Sequence, residues 1–276
     1  MRLGVRAVSA IRVCCGQRAF AKRESPIRRL AVISESRALR YRASGSATRK
    51  TEIMRIAEIF YSVQGEGVLV GVPSVFVRTS GCNLRCSWCD TPYTSWKPEG
   101  DELALDEIER RAAEYGARHV VITGGEPMIA PGIAELTRRF HARGMHITIE
   151  TAGTVFAGVQ CDLMSISPKL TNSTPEGPFR AQHERLRLQP EALRKLMAVC
   201  DYQLKFVIAE ERDLEEVREV VANVGAPAEK VVLMPEGTRG EVLNERGVWI
   251  AELCKKYGYR FSPRLHVQLW GDRRAV

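Results

Sequence analysis

The chain has 276 residues, 45% hydrophobic and 27% charged, which suits one substantial globular domain with a tail, and no apolar run is long enough for a membrane-spanning helix. The net charge of +8 is unevenly placed: of 41 Lys and Arg, 13 fall within residues 1–53, against 3 of the 33 Asp and Glu, leaving 28 bases and 30 acids for the rest. A nearly neutral body argues against a long basic groove for a phosphate backbone, so neither a nucleic acid nor a membrane is expected as partner.

Residues 1–53 are rich in Arg, Ser and Ala and show little apolar periodicity. Three readings stand side by side: residues upstream of a true start at Met54, a disordered basic tail, or an organellar transit peptide. In each, residues 54–276 are the working domain, and removing 1–53 is expected to leave activity intact.

The alternation in Arg55–Ser62 predicts a strand, followed by a turn at Gln64-Gly65-Glu66-Gly67. Ser74–Thr79 reads as a buried strand that runs into a cysteine-rich loop. Helical spacing follows at Leu105–Tyr115, then a strand at His119–Thr123 ending in Gly-Gly-Glu-Pro. A helix at Ile133–Arg143 closes on Gly144, as helices often close on a left-handed glycine. Strands are expected at His146–Glu150 and Leu163–Ser167, and an unpatterned loop or insertion at Leu170–Gln189. Then come a helix at Glu191–Val199, a strand at Gln203–Ile208, a helix at Leu214–Asn223, a strand at Val231–Met234, a helix at Val248–Tyr257 and a short strand at Tyr259–Ser262.

Strands alternating with helices imply parallel βαβ units. About six units fit an incomplete, open (β/α) barrel. The polar motifs fall mainly at the carboxyl ends of strands: Cys82–Cys89, Thr123–Pro127, Glu150–Gly153, Ser167–Lys169 and Pro235–Gly237. In parallel α/β folds that rim binds ligands. Gln203 and Lys205 should point into the barrel, where a buried lysine wants a partner.

The eight cysteines do not form a secreted disulfide framework: Cys82, Cys86 and Cys89 cluster and the others scatter, as in a reducing cytoplasm. The clustered trio has C-x₃-C-x₂-C spacing, which lets a short loop aim three thiolates at one centre. Soft sulfur selects iron–sulfur clusters, zinc or Cu(I). A structural zinc site would want four closed ligands. A [4Fe–4S] cluster held by three cysteines keeps one iron open for a small molecule.

With Gln64-Gly65-Glu66-Gly67, Arg78, Cys-Asp-Thr at 89–91, Thr-Gly-Gly-Glu-Pro at 123–127 and Ser-Pro-Lys at 167–169, this spacing resembles the radical S-adenosylmethionine (SAM) superfamily. Within it, the chain resembles the 7-carboxy-7-deazaguanine synthases of queuosine and 7-deazapurine biosynthesis, from about Met54 to about Trp270. The resemblance implies the α/β, (β/α)6-type partial TIM barrel of radical SAM enzymes. It implies a carbon–nitrogen lyase that contracts 6-carboxy-5,6,7,8-tetrahydropterin to 7-carboxy-7-deazaguanine with loss of ammonia. The cofactors implied are a [4Fe–4S] cluster on Cys82, Cys86 and Cys89, SAM, and Mg²⁺ on Thr91. A homodimer in the cytoplasm and an electron donor such as flavodoxin or ferredoxin are implied too. The cofactor carries the hard chemistry, so no residue is assigned as a general acid or base.

For SAM the resemblance points to Trp88, Cys89, Asp90, Gly125, Glu126, Ser167, Pro168 and Lys169. Met234, Pro235, Glu236 and Gly237 occupy the adenosyl-contact region but depart from the family's usual Gln-Pro. Gly125 and Glu126 should meet the SAM ammonium. For substrate it points to Val63, Gln64, Gly65, Glu66, Arg78, Thr123 and His266. An arginine ending an apolar strand suits a bidentate carboxylate, and Gln64 and Glu66 can read amide and amine edges. Some relatives use a terminal carboxylate. This chain continues through Asp272 to Val276, so that contact is not expected. Two other classes compete on sequence alone: a glycyl-radical activase, and a non-catalytic metal-binding module that bridges proteins.

Overall fold

The computed structural model describes residues 52–276, which belong to a compact unit running from Arg49 to Val276. The readings of 1–53 as leader or tail lie outside the described residues, except at Glu52 and Ile53. Ile53 already pairs with Ala104, and the Glu52 carbonyl accepts from Leu105 N at 3.2 Å. The folded body therefore starts just ahead of the expected boundary at Met54.

In chain order the elements are β1 (Ile53–Val63), β2 (Pro73–Thr79), α1 (Pro92–Ser95), β3 (Asp101–Ala104), α2 (Leu105–Glu114), β4 (His119–Gly124), α3 (Ile133–Ala142), β5 (His146–Thr151) and β6 (Leu163–Ile166). Then follow α4 (Arg180–Leu186), α5 (Pro190–Met197), β7 (Asp201–Ile208), α6 (Asp213–Val224), β8 (Val231–Pro235), α7 (Gly240–Tyr257), β9 (Arg260–Phe261) and α8 (Leu265–Trp270). The sheet order is β3-β1-β2-β4-β5-β6-β7-β8-β9. β1 runs antiparallel to β2 and β3; every pairing from β2 to β9 is parallel. The series has two ends and does not close, so the barrel is open, as the number of βα units predicts.

Burial explains the strand sequences. Val120, Val121 and Ile122 of β4 are each at most 1% exposed, as in a parallel strand covered on both faces. Leu105, Ile108 and Ala112 of α2, Leu136 and Phe140 of α3, Leu193 and Leu196 of α5, and Val217 of α6 join one core against the sheet. Their i, i+3/i+4, i+7 spacing is the stripe a helix needs to cover a sheet.

Three expectations need correction. The segment Leu170–Gln189 is not simply a loop: it contains a 3₁₀ turn at Thr171–Ser173 and helix α4. Helix α4 has no apolar stripe. Its buried residue is His183, which holds the Ser173 hydroxyl at 2.9 Å and the Arg85 N–H at 3.2 Å. Polar contacts replace the periodic signal, so pattern reading misses it. Helix α7 begins at Gly240 rather than Val248, because Leu243 buries about two extra turns that Gly240, Asn244 and Gly247 disfavour by propensity. α1, β3 and α8 are absent from the sequence reading, being too short to show a period.

Candidate active site

The carboxyl ends of the strands surround a cavity of about 260 Å³. Its wall has two chemically distinct parts.

The first part is sulfur. Cys82, Cys86 and Cys89 all line the cavity from the loop between β2 and α1. All three are free thiols. Burial pushes the Cys82 thiol up to about 11 and the Cys86 thiol up to about 12, so both are protonated at neutral pH. The Cys82 sulfur accepts the Leu84 N–H at 3.4 Å, and the Ser95 hydroxyl lies 3.2 Å from the Cys89 sulfur. Among the described residues, no three His, Cys, Asp or Glu side chains are gathered to hold a single metal ion. Three soft donors facing one cavity suit an iron–sulfur cluster by their chemistry.

The loop is held from two sides. Gly81 N donates to the Thr94 carbonyl at 2.8 Å, and its own carbonyl accepts Glu126 N at 2.9 Å. A Cβ on Gly125 would sit 2.0 Å from that Gly81 carbonyl. The glycine is therefore required by the approach of the cysteine loop itself, not only by a ligand. On the far side Ser87 N bonds the Ser173 carbonyl at 2.9 Å, and the Trp88 indole N–H bonds the Asn172 carbonyl at 2.9 Å.

Lys169 lines the wall with Ser167 and Trp88. Its ammonium donates to the Ser167 carbonyl at 2.8 Å and hydroxyl at 2.9 Å, and lies 5.9 Å from the centre of the Trp88 ring. Met234 and Glu236 reach the wall; Pro168, Pro235 and Gly237 do not. Glu126 is also absent from it. Its side chain is fully buried, accepting Met128 N at 3.0 Å, the Thr151 hydroxyl at 2.7 Å and Ala152 N at 2.8 Å. This carboxylate ties the loop after β4 to the end of β5.

The second part is ionic. Lys205 of β7 is 5% exposed and its ammonium pairs with Glu66, the partner that its burial demands. Arg264, 6% exposed, reaches Glu66 at 3.2 Å, Asp90, and the Gly237 carbonyl at 2.6 Å. One guanidinium thus joins the β1–β2 turn, the cysteine loop and the loop after β8. Burial alone would raise the Glu66 carboxyl, but Lys205 and Arg264 outweigh it and hold the group well below the usual carboxylate range. Burial is likewise outweighed at Asp90, chiefly by Arg264.

Gln64 and Thr123 meet on Glu150. The Gln64 amide donates to one Glu150 oxygen at 3.1 Å and the Thr123 hydroxyl to the other at 2.8 Å. Gln64 also accepts Glu66 N at 3.0 Å, so it shapes the turn as well as the cavity. His266 stacks against Gly65 so closely that a Cβ there would lie 2.1 Å from Nδ1. Burial lowers the His266 pKa, so the ring is neutral at pH 7. Arg78 donates its Nε to Glu58 at 3.0 Å and lies over the Phe60 ring, 5.6 Å from its centre. Thr91 lines the wall, its hydroxyl 3.3 Å from that of Thr94. Val63, Gly65, Cys89 and Asp90 line it as well.

Sequence reasoning assigned no role to Glu58, Tyr93 or Arg264, nor to the C-terminal residues, and placed Glu150 on the ligand-binding rim without a specific task. Glu150 carries the signal that singled out Arg78, a charge at the end of an apolar strand. Arg264 sits in a loop and gives no pattern at all. The tail was not expected at the site, yet Gly271–Val276 line the cavity. Arg274 lies 3.2 Å from the centre of the Tyr93 ring and 3.1 Å from Glu99.

An open parallel barrel with three cysteines on one loop at its mouth defines a radical SAM domain, and residues 76–187 match the Radical SAM superfamily model. The chain is 43% identical over 237 residues to 7-carboxy-7-deazaguanine synthase of Rhodopirellula baltica, covering 84% of this chain and 92% of the relative. It is 44% identical over 232 residues to the protein of the same name from Halobacterium salinarum, covering 79% and 90%. Among solved structures, that of QueE from Escherichia coli superposes with a TM-score of 0.61 at 26% identity, covering 78% of this chain and 95% of that one. The chain belongs to the 7-carboxy-7-deazaguanine synthase family. That membership sets aside the activase and the bridging module. No helix among the described residues is long and apolar enough to cross a membrane.

Proposed function

We propose that this chain converts 6-carboxy-5,6,7,8-tetrahydropterin to 7-carboxy-7-deazaguanine with loss of ammonia. The observation that carries this reading is the cavity itself. One wall offers three soft thiols; the other offers paired charges and hydrogen-bonding groups suited to an anionic heterocycle.

Cys82, Cys86 and Cys89 would hold the [4Fe–4S] cluster, and Lys169, Ser167, Trp88 and Met234 would line the SAM side. When bound, cluster and SAM supply the radical that removes and returns a substrate hydrogen. The protein's own work is binding, orienting and excluding water. Arg78 gives Glu58 its Nε, and among the described residues its terminal nitrogens take no other partner, so they can fork onto a substrate carboxylate. The Glu150 carboxylate can accept from a pterin amine while Gln64 and Thr123 hold it in place. Neutral His266 can donate or accept at the ring edge. Thr91 would supply a hard hydroxyl oxygen for Mg²⁺, which would keep several waters or substrate oxygens of its own. A reducing cytoplasm, a flavodoxin- or ferredoxin-type donor and a homodimer complete the proposal.

The test is direct. Reduced, cluster-loaded protein is incubated anaerobically with SAM, Mg²⁺ and the carboxytetrahydropterin. A deazaguanine carboxylate is the expected product. SAM cleavage without that product would sink the substrate assignment and keep the superfamily.

A further inference from the structure

A second sulfur site lies at the opposite edge of the sheet from the cavity. Cys161 and Cys200 precede the adjacent parallel strands β6 and β7, whose first paired residues are Leu163 and Asp201. Their sulfurs are 3.0 Å apart, inside van der Waals contact, and both residues are partly exposed to solvent. Neighbouring strands lie about 4.8 Å apart. Across so short a gap the sulfur contact itself is the geometry from which a disulfide closes. Two thiols at the mouths of neighbouring strands, already in contact, need little backbone movement to join.

We propose that Cys161 and Cys200 form a redox-active dithiol that closes to a disulfide by exchange with a small-molecule disulfide of the glutathione class. One thiolate of the pair attacks a sulfur of the small disulfide and expels a thiolate. The neighbouring thiolate then attacks the mixed disulfide and expels the other half. One sulfur–sulfur bond breaks and another forms; the protein loses two hydrogens and the oxidant leaves as two thiols. In a reducing compartment the pair stays open, and a shift of the thiol pool toward disulfide closes it.

The place of the bond gives it a consequence. The chain between the two cysteines spans 39 positions. It carries Ser167 and Lys169 to the cavity, and its Asn172, Ser173 and His183 hold Trp88, Ser87 and Arg85 of the cluster loop. Closure fastens both ends of that brace without touching a cavity thiol.

Cluster-loaded full-length protein is exposed anaerobically to oxidised glutathione, quenched with an alkylating agent and mapped by peptide mass spectrometry. The expected result is a product lighter by two hydrogens, with one cross-linked peptide pair joining Cys161 to Cys200. The closed form should melt about 5 °C higher, because the cross-link restricts the unfolded chain. Cys161→Ser should instead retain glutathione on Cys200 as a mixed disulfide. Full alkylation of both thiols in the native protein after the same exposure would overturn the proposal, as would bonds joining either one to a different cysteine. Neither readout depends on turnover, so the result stands apart from the fate of the substrate assignment.

Discussion

The two walls of the cavity solve opposite problems. On the sulfur wall, burial keeps Cys82 and Cys86 protonated and neutral. On the ionic wall, burial also opposes ionisation, yet Lys205 and Arg264 hold Glu66 ionised and Arg264 holds Asp90 ionised. The difference is the presence of fixed opposite charge. The sulfur wall is built of polarisable donors whose charge must come with what they bind. The ionic wall is preorganised, most of its charges already paired, and it keeps the terminal nitrogens of Arg78 for a ligand. A single cavity can therefore take a soft inorganic group on one side and a hard, hydrogen-bonding organic anion on the other.

The largest expected effect is on the sulfur wall. Cys86→Ala should lower bound iron and reduce turnover to background, with the fold kept, as judged by far-UV circular dichroism and iron analysis. Full activity in that variant would remove the trio from the mechanism. On the ionic wall, Arg264→Ala strands Asp90 and leaves Glu66 with Lys205 alone. Removing one partner of a fully buried ion pair typically costs about 3–5 kcal/mol; the loss here, read from denaturant unfolding, should be smaller, because Asp90 is 43% exposed to water and Glu66 keeps Lys205. Lys205→Met should cost less, since Arg264 still holds Glu66. Equal losses in the two variants would mean that the guanidinium is not the hub its contacts describe.

How much of this was legible beforehand follows the same division. The sulfur wall was legible because its ligands are close in sequence, within eight residues, and chemically rare. The open parallel barrel was legible because apolar strands and striped helices alternate from Val75 to Ile250. The ionic wall was only half legible. Glu66 stood out in its turn motif and Lys205 as a charge on an apolar strand, but their partnership joins positions 139 residues apart. Arg264 is further still from Glu66, at 198 residues, and lies in a loop without period. Helix α4 was missed for a related reason: its fold energy comes from one buried polar residue, His183, and not from a stripe. Glu126 shows the converse failure. Its motif was recognised, but the partners of its side chain, Thr151 at the end of the next strand and Ala152 just past it, are encoded by no local pattern.

Arg78 sharpens the comparison at a smaller scale. Arg78→Lys keeps the charge beside Glu58 but loses the planar fork. The proposal expects KM for the carboxytetrahydropterin to rise about tenfold or more with kcat less affected, the pattern of lost ground-state binding. A fall in kcat at constant KM would place Arg78 elsewhere in the reaction.

The smallest effect tests the charge balance itself. The Glu66 carboxyl is depressed in the folded state, so its contribution to stability is complete above its ordinary value of 4.5 and is lost as pH falls below it. Unfolding midpoints of the native chain should therefore drop through that acid range. In Glu66→Gln, which cannot ionise, the drop should be shallower, although the variant is less stable at pH 7. Parallel acid limbs in the two proteins would show that Lys205 and Arg264 do not hold Glu66 charged. The contrast between a wall of neutral thiols and a wall of fixed charge would then lose its second half.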